Sequence, residues 1–128
     1  MEKQLIPGQI KKVLIALEGI RTNIVMDEYS LQEMIAQKLT QAGIPFSKEH
    51  RLGPRNRIDF LTAGGVGIEV KKGKPYKRQV IGQLNRYAEN PEITVIVLVV
   101  ERNLDIPKEI NGKPCFSFGL NKLWGIAL

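Results

Sequence analysis

The chain is poor in the residues that staple or metallate small domains. A single cysteine, Cys115, in 128 residues excludes an intrachain disulfide framework and a cysteine-rich zinc site. A single histidine, His50, excludes a metal helix built on spaced histidine pairs and any poly-histidine centre. Long apolar runs are also missing. The longest, Ile93 to Val100, is broken by Thr94 and falls well short of the roughly 20 residues that span a bilayer. The apolar stretch near the N-terminus is interrupted by Glu18 and no small-residue cleavage motif follows it, so it does not read as a leader. Internal repeats, low-complexity tracts and linkers are absent too. What is left, 43% hydrophobic and 25% charged, matches an ordinary globular domain. A chain of this length buries roughly two-thirds of its surface on folding and needs no covalent staples. The expectation is one domain over 1–128, soluble and cytoplasmic, with no membrane partner.

Acidic residues are the minority: 13 against 19 Lys and Arg, a net charge of +6. The excess is local. Between Lys48 and Arg86 ten basic residues stand against three acidic ones, Glu49, Asp59 and Glu69. The rest of the chain is therefore close to neutral. A field this localised attracts polyanions, nucleic acid foremost. The alternative is a solubilising basic face with no partner.

Helical spacing of Ile10, Val13, Leu14, Leu17 and Ile20 predicts a helix over Gln9 to Arg21. Asp27 is suited to cap a second helix carrying Leu31, Met34, Ile35 and Leu39, which Gly43 stops. Pro45 to Leu52 alternates loosely, as a strand would. Two firmer strands, Arg57 to Thr62 and Val66 to Lys71, follow the turn signal Gly53-Pro54-Arg55-Asn56. A helix after Pro75 runs to Glu89 with Val80, Leu84 and Tyr87 on one face. Ile93 to Val100 reads as a strand buried on both sides. The tail from Glu101 is the least legible part; Phe116, Phe118, Leu120 and Trp124 are expected to pack it on the core. The fold class implied is α/β, with a mixed central sheet flanked by helices. Its parts are a helical extension (1–25), a core (27–100) and a tail (101–128).

The faces of the two firm strands fix a register. One alternation gives Ile58, Phe60, Thr62 and Val66, Ile68, Val70; the other gives Arg57, Asp59, Leu61 and Gly67, Glu69, Lys71. Burying the apolar sets together requires an odd loop, Ala63-Gly64-Gly65, because a slip of one residue would bury Glu69 and Lys71. That loop sets Asp59 opposite Glu69 with Lys71 beside them. Like charges facing each other on a sheet repel, and a hard divalent cation such as Mg²⁺ is the natural compensation for paired carboxylates. A solvated pair neutralised by Arg57 and Lys71 is the alternative.

Asp59, then Glu69-Val70-Lys71 at the end of the next strand, resembles the PD-(D/E)XK nuclease superfamily. That group includes restriction enzymes, Holliday-junction resolvases and small phage-type nucleases. An acid-x-Lys triplet is expected about once by chance in a chain of this composition. The context carries the weight: Asp on the preceding strand, a glycine-rich hairpin, and a following helix bearing Gln83 and Tyr87. The resemblance covers roughly Asp27 to Val100. Ile58 stands where the family's name has proline. The resemblance implies a restriction-endonuclease-like core in an intracellular protein of bacterial or phage type. It also implies an acid from the helix before the hairpin, for which Glu28 is favoured. Glu33 lies about 140° further around that helix, and Glu49 is a third candidate on the neighbouring strand.

In that reading Asp59, Glu69 and the Val70 carbonyl hold Mg²⁺, with Mn²⁺ able to substitute. Lys71 orients the attacking water and stabilises the transition state, and Gln83 hydrogen-bonds the water or the phosphate. Arg55, Arg57, Lys72, Lys74, Lys77 and Arg78, with Arg51, form basic rails for DNA, duplex or branched. Tyr76 beside Pro75 is expected to pack rather than stack, His50 to be a surface or half-buried histidine, and Cys115 to lie in the core. The expected activity is Mg²⁺-dependent hydrolysis of DNA phosphodiester bonds, structure-selective or non-specific. Cutting both strands at once would need a homodimer, with the first helix as a candidate interface or else a lid on the core. The rival is a non-catalytic nucleic-acid-binding module using the same basic face.

Overall fold

The first two elements form on apolar periodicity, and the second is capped as well. In the computed structural model, which describes residues 8–18, 20, 27–73, 75–102 and 104–119, helix α1 (Gly8–Glu18) and helix α2 (Glu28–Gln41) lead the chain. Asp27 caps α2 by accepting the Ser30 N–H at 2.7 Å, which satisfies one of the orphan donors of the first turn. Leu31, Ile35 and Leu39 are its buried stripe. Among the described residues no helix is long and apolar enough to cross a membrane.

Six strands follow: β1 (Phe46–Gly53), β2 (Asn56–Thr62), β3 (Val66–Lys71), β4 (Val95–Val100), β5 (Glu109–Ile110) and β6 (Lys113–Gly119). Helix α3 (Lys77–Ala88) lies between β3 and β4. They make one mixed sheet in the order β1-β2-β3-β4-β6-β5. β1, β2 and β3 form an antiparallel meander, α3 carries the chain over to a parallel β4, and β6 adds parallel on the far side. The class is α/β with a mixed sheet, as the sequence implied.

Two apolar layers sandwich the sheet. On one face Ile10, Val13 and Leu17 of α1 and the α2 stripe pack with Phe60, Val66, Ile68, Val70, Val95, Val97 and Val99. On the other, Val80, Leu84 and Tyr87 of α3 pack with Ile96, Leu98, Val100 and Cys115. β4 is buried along its whole length, its alternate residues feeding the two layers, which is why its sequence shows no polar face. The apolar stripe of α1 packs on this chain's own core, while Ile15 on the same helix is 63% exposed.

Two expectations differ from what is seen. The tail is not merely laid on the core, since residues 113–119 supply a full strand beside β4. Phe116 and Phe118 do pack on the α1–α2 layer; Leu120 and Trp124 lie outside the described residues. Secondly, Ile58 does not share a face with Phe60. It is buried with Leu84, Tyr87 and Ile93 on the α3 side. Pairing of β2 with β3 runs through Leu61↔Gly67 and Phe60↔Ile68. Beyond that β2 stays with β1 (His50↔Ile58, Arg51↔Arg57), and a two-stranded ribbon twists more strongly than a full sheet. Gly67 makes room for the displaced side chain: a Cβ there would stand 2.6 Å from Ile58 Cδ1 and 2.8 Å from Ile93 Cδ1.

Candidate active site

The site begins at the turn. Gly64 and Gly65 take positive φ values of 98° and 86°, and the Gly65 N–H closes the loop on the Thr62 carbonyl at 3.0 Å. This is the three-residue connection that the hydrophobic faces required. The register it sets, Phe60↔Ile68, brings Asp59 and Glu69 to the next rung.

At that rung side chains replace the backbone ladder. The Asp59 N–H donates to Glu69 Oε1 at 3.3 Å, and the Val70 N–H donates to Asp59 Oδ2 at 2.8 Å. The two carboxylates therefore sit in the cleft where β2 leaves β3. In an extended strand the N–H and C=O of one residue leave on the same side, so the Val70 carbonyl faces this cleft too. Lys71 Nζ is 3.3 Å from Glu69 Oε2. From α3, the Tyr87 hydroxyl donates to Glu69 Oε1 at 2.9 Å, with the Arg57 carbonyl at 3.1 Å as its second acceptor. Gln83 Nε2 in turn donates to the Tyr87 hydroxyl at 2.7 Å. One oxygen of each acid is thus anchored by backbone or tyrosine. Among the described residues Asp59 Oδ1 has no hydrogen-bond partner, and Glu69 Oε2 faces Lys71.

Electrostatically the cleft is strained. Glu69 is 4% exposed, and burial followed by the charge of Asp59 pushes its pKa up to about 7, against the pull of Lys71 and Tyr87. Burial also raises Asp59, with the charges of Glu28 and Glu49 adding to it, while the Val70 N–H and Lys71 lower it. Burial and the Glu69 charge push Tyr87 well above the ordinary phenol value, so it stays a donor.

The third acid is not resolved into the site. Glu28, in the first turn of α2, and Glu49 are both close enough to act on Asp59 through their charge. Glu49 belongs to the same rung as Asp59 by the β1–β2 register. Its φ of 48° departs from strand geometry, and it faces Arg57 at 3.8 Å. Glu33 is committed to Lys48 at 2.9 Å. Among the described residues no three His, Cys, Asp or Glu side chains converge as a ready-made metal cage.

Basic residues line two separate grooves. Arg51, Arg55 and Arg57, with Asn56, line a groove of about 370 Å³ at the β1–β2 turn. Lys71 lines the second groove, along α3, and Lys77 and Arg78 are exposed in the first turn of that helix. Lys72 is partly neutralised by Glu101, 3.2 Å away, and Lys74 lies outside the described residues. His50 bridges Ser47 and Glu92 at 3.1 and 2.9 Å, apart from the carboxylates. Tyr76, expected to pack, is instead 77% exposed.

The sequence singled out Gln83 and Tyr87 on this helix but not the contacts they make. Tyr87 fell on the apolar stripe of its helix, yet its hydroxyl is what holds Glu69. Gln83 donates to that hydroxyl with one N–H of its amide. The signal available was their spacing: four residues apart on a helix, two polar side chains meet. No protein-family model matches the chain, and no similar curated protein or solved structure was found for it.

Proposed function

We propose that the chain is a divalent-metal-dependent endonuclease built on a restriction-endonuclease-like core, hydrolysing phosphodiester bonds of DNA. The observation that carries this reading is the buried pair Asp59 and Glu69 with Lys71 at 3.3 Å, in a molecule with two grooves lined by basic residues. A non-catalytic binder gains nothing from two like charges held against each other beside nucleic-acid phosphates, where they oppose binding.

The donor set fits a hard divalent cation. Asp59, Glu69 and the Val70 carbonyl offer oxygens only, as Mg²⁺ or Mn²⁺ prefers. Burial and the neighbouring Asp59 charge raise the pKa of Glu69, and a bound cation would oppose both effects. When bound, such an ion would neutralise the pair, polarise a phosphate oxygen and acidify a water. The rest falls to the chain. The Val70 N–H and Tyr87 hydroxyl fix the two carboxylates in orientation. Lys71 presents an ammonium at the carboxylate edge, where it can hold the attacking water and the negative charge that builds on the phosphoryl oxygens. Arg51, Arg55 and Arg57 hold the polyanion without reading its sequence.

The test is nicking of supercoiled plasmid and cutting of a four-way junction in Mg²⁺, in EDTA, and by Glu69→Ala and Lys71→Ala. Activity in Mg²⁺ alone, lost by ~100-fold or more in both variants, is the expected result. Equal nicking by Glu69→Ala would remove the proposed site.

A further inference from the structure

Helix α3 carries a glycine that the fold does not require. Gly82 stands in the middle of the helix, and a Cβ built on it meets nothing within 4 Å. A glycine inside a helix is less favourable than alanine by about 1 kcal/mol, and no packing against this one explains it. What surrounds it is open and polar. Gln79, Gly82, Gln83 and Arg86 fall at helical spacing on the face that flanks Val80, Leu84 and Tyr87. With Lys71, Pro75 and Val80 they line a groove of about 450 Å³, within the range of about 300–1,000 Å³ typical of small-ligand sites. Among the described residues, none that lines it is acidic. Tyr76, next to the lining Pro75 and at the N-cap of α3, exposes 77% of its surface.

Each part matches one component of a nucleotide. Lys71 and Arg86 supply charge for phosphate, the amides of Gln79 and Gln83 can meet a base edge or sugar, and the bare backbone at Gly82 lets a sugar–phosphate chain come close. An exposed tyrosine is a stacking surface for a base not enclosed in a duplex. The size of the groove suits a nucleotide rather than a double helix. We infer that this groove seats an unpaired DNA strand running from the scissile phosphate along α3, with Gly82 as its point of closest approach and Tyr76 stacking on a base. The inference rests on the nuclease reading for the position of the scissile phosphate, and it gives that reading a substrate class: DNA with a single-stranded arm beside the cut.

The experiment is fluorescence anisotropy with a fluorescein-labelled thymidine oligomer and with a labelled blunt duplex, in EDTA so that no cutting intervenes. Gly82→Leu is expected to melt at a higher temperature than the parent, because leucine favours helix over glycine. It should nonetheless bind the oligomer ~5-fold or more weakly. Gly82→Ala should show the same two directions with smaller amplitude, and it keeps the test valid if the leucine variant folds badly. Tyr76→Ala should weaken the oligomer ~5-fold or more and leave the duplex unchanged. Parental binding of the oligomer by the Gly82 variants, or equal losses for oligomer and duplex in Tyr76→Ala, would overturn the inference. The nuclease reading fails separately. If the parent never nicks plasmid in Mg²⁺ but the Gly82 and Tyr76 effects appear, the strand site stands without the hydrolysis.

Discussion

Glu69 is held where its charge is least welcome: 4% exposed, facing Asp59, with Lys71 and Tyr87 as partial relief. Its pKa of about 7 lies above the ordinary 4.5, so between those values the folded chain binds more protons than the unfolded one. Stability contributed by the protonated acid is therefore present below the ordinary value and is lost as pH rises through about 7. Glu69→Gln should melt higher than the parent above pH 7, by roughly 1–3 kcal/mol, and coincide with it in acid. Thermal melts across pH would show this, and a difference that does not vary with pH would mean that the charge is not strained. A divalent ion favours the ionised pair, so Mn²⁺ binding just below pH 7 should release protons, measurable by calorimetry in two buffers of different ionisation enthalpy. Tyr87→Phe removes a donor that lowers the Glu69 pKa. The pH profile of nicking should move to higher pH, and stability should fall by about 1 kcal/mol. A loss of rate with an unmoved profile would make Tyr87 a packing residue only.

At the scale of elements, the departure of β2 from β3 at Asp59 is the feature that makes a cleft, and Gly67 permits it. Gly67→Ala puts a methyl against Ile58 and Ile93, and a loss of roughly 1–3 kcal/mol is expected. Chemical denaturation would measure it, and an unchanged midpoint would show that the isoleucine tips move aside freely. Much of this was legible beforehand. The glycine-rich loop and the apolar alternation of β2 and β3 fixed which residues face each other, and Asp27 fixed where α2 starts. Ile58 was misplaced because strict alternation assumes a strand paired on both sides, whereas β2 past Phe60 is held only by β1. The strand at 113–119 was hidden by Pro114 and by polar residues that an edge-side strand tolerates. The contact of Tyr87 with Glu69 was hidden because an apolar ring bearing one hydroxyl reads as core until the acid it meets is known.

For the whole molecule, the positive charge is concentrated in the segment from Lys48 to Arg86 that carries the acid pair. Affinity for duplex DNA should fall steeply with salt. Changing Arg51, Arg55 and Arg57 together to alanine should flatten the slope of log K against log salt by roughly two to three, as titrations at several ionic strengths would register. A slope untouched by the triple change would place the DNA elsewhere. The position of β4 has a consequence for biosynthesis. A strand of six aliphatics, Val95 to Val100, is flanked by β3 on one edge, but its other edge waits for β6. Until the segment ending at Gly119 has left the ribosome, the nascent chain displays a bare aliphatic ribbon edge, the kind of surface that recruits chaperones or seeds aggregates. Chains stalled or clipped between β4 and β6 should accordingly partition into the insoluble fraction, even though both carboxylates and the lysine beside them have already been made.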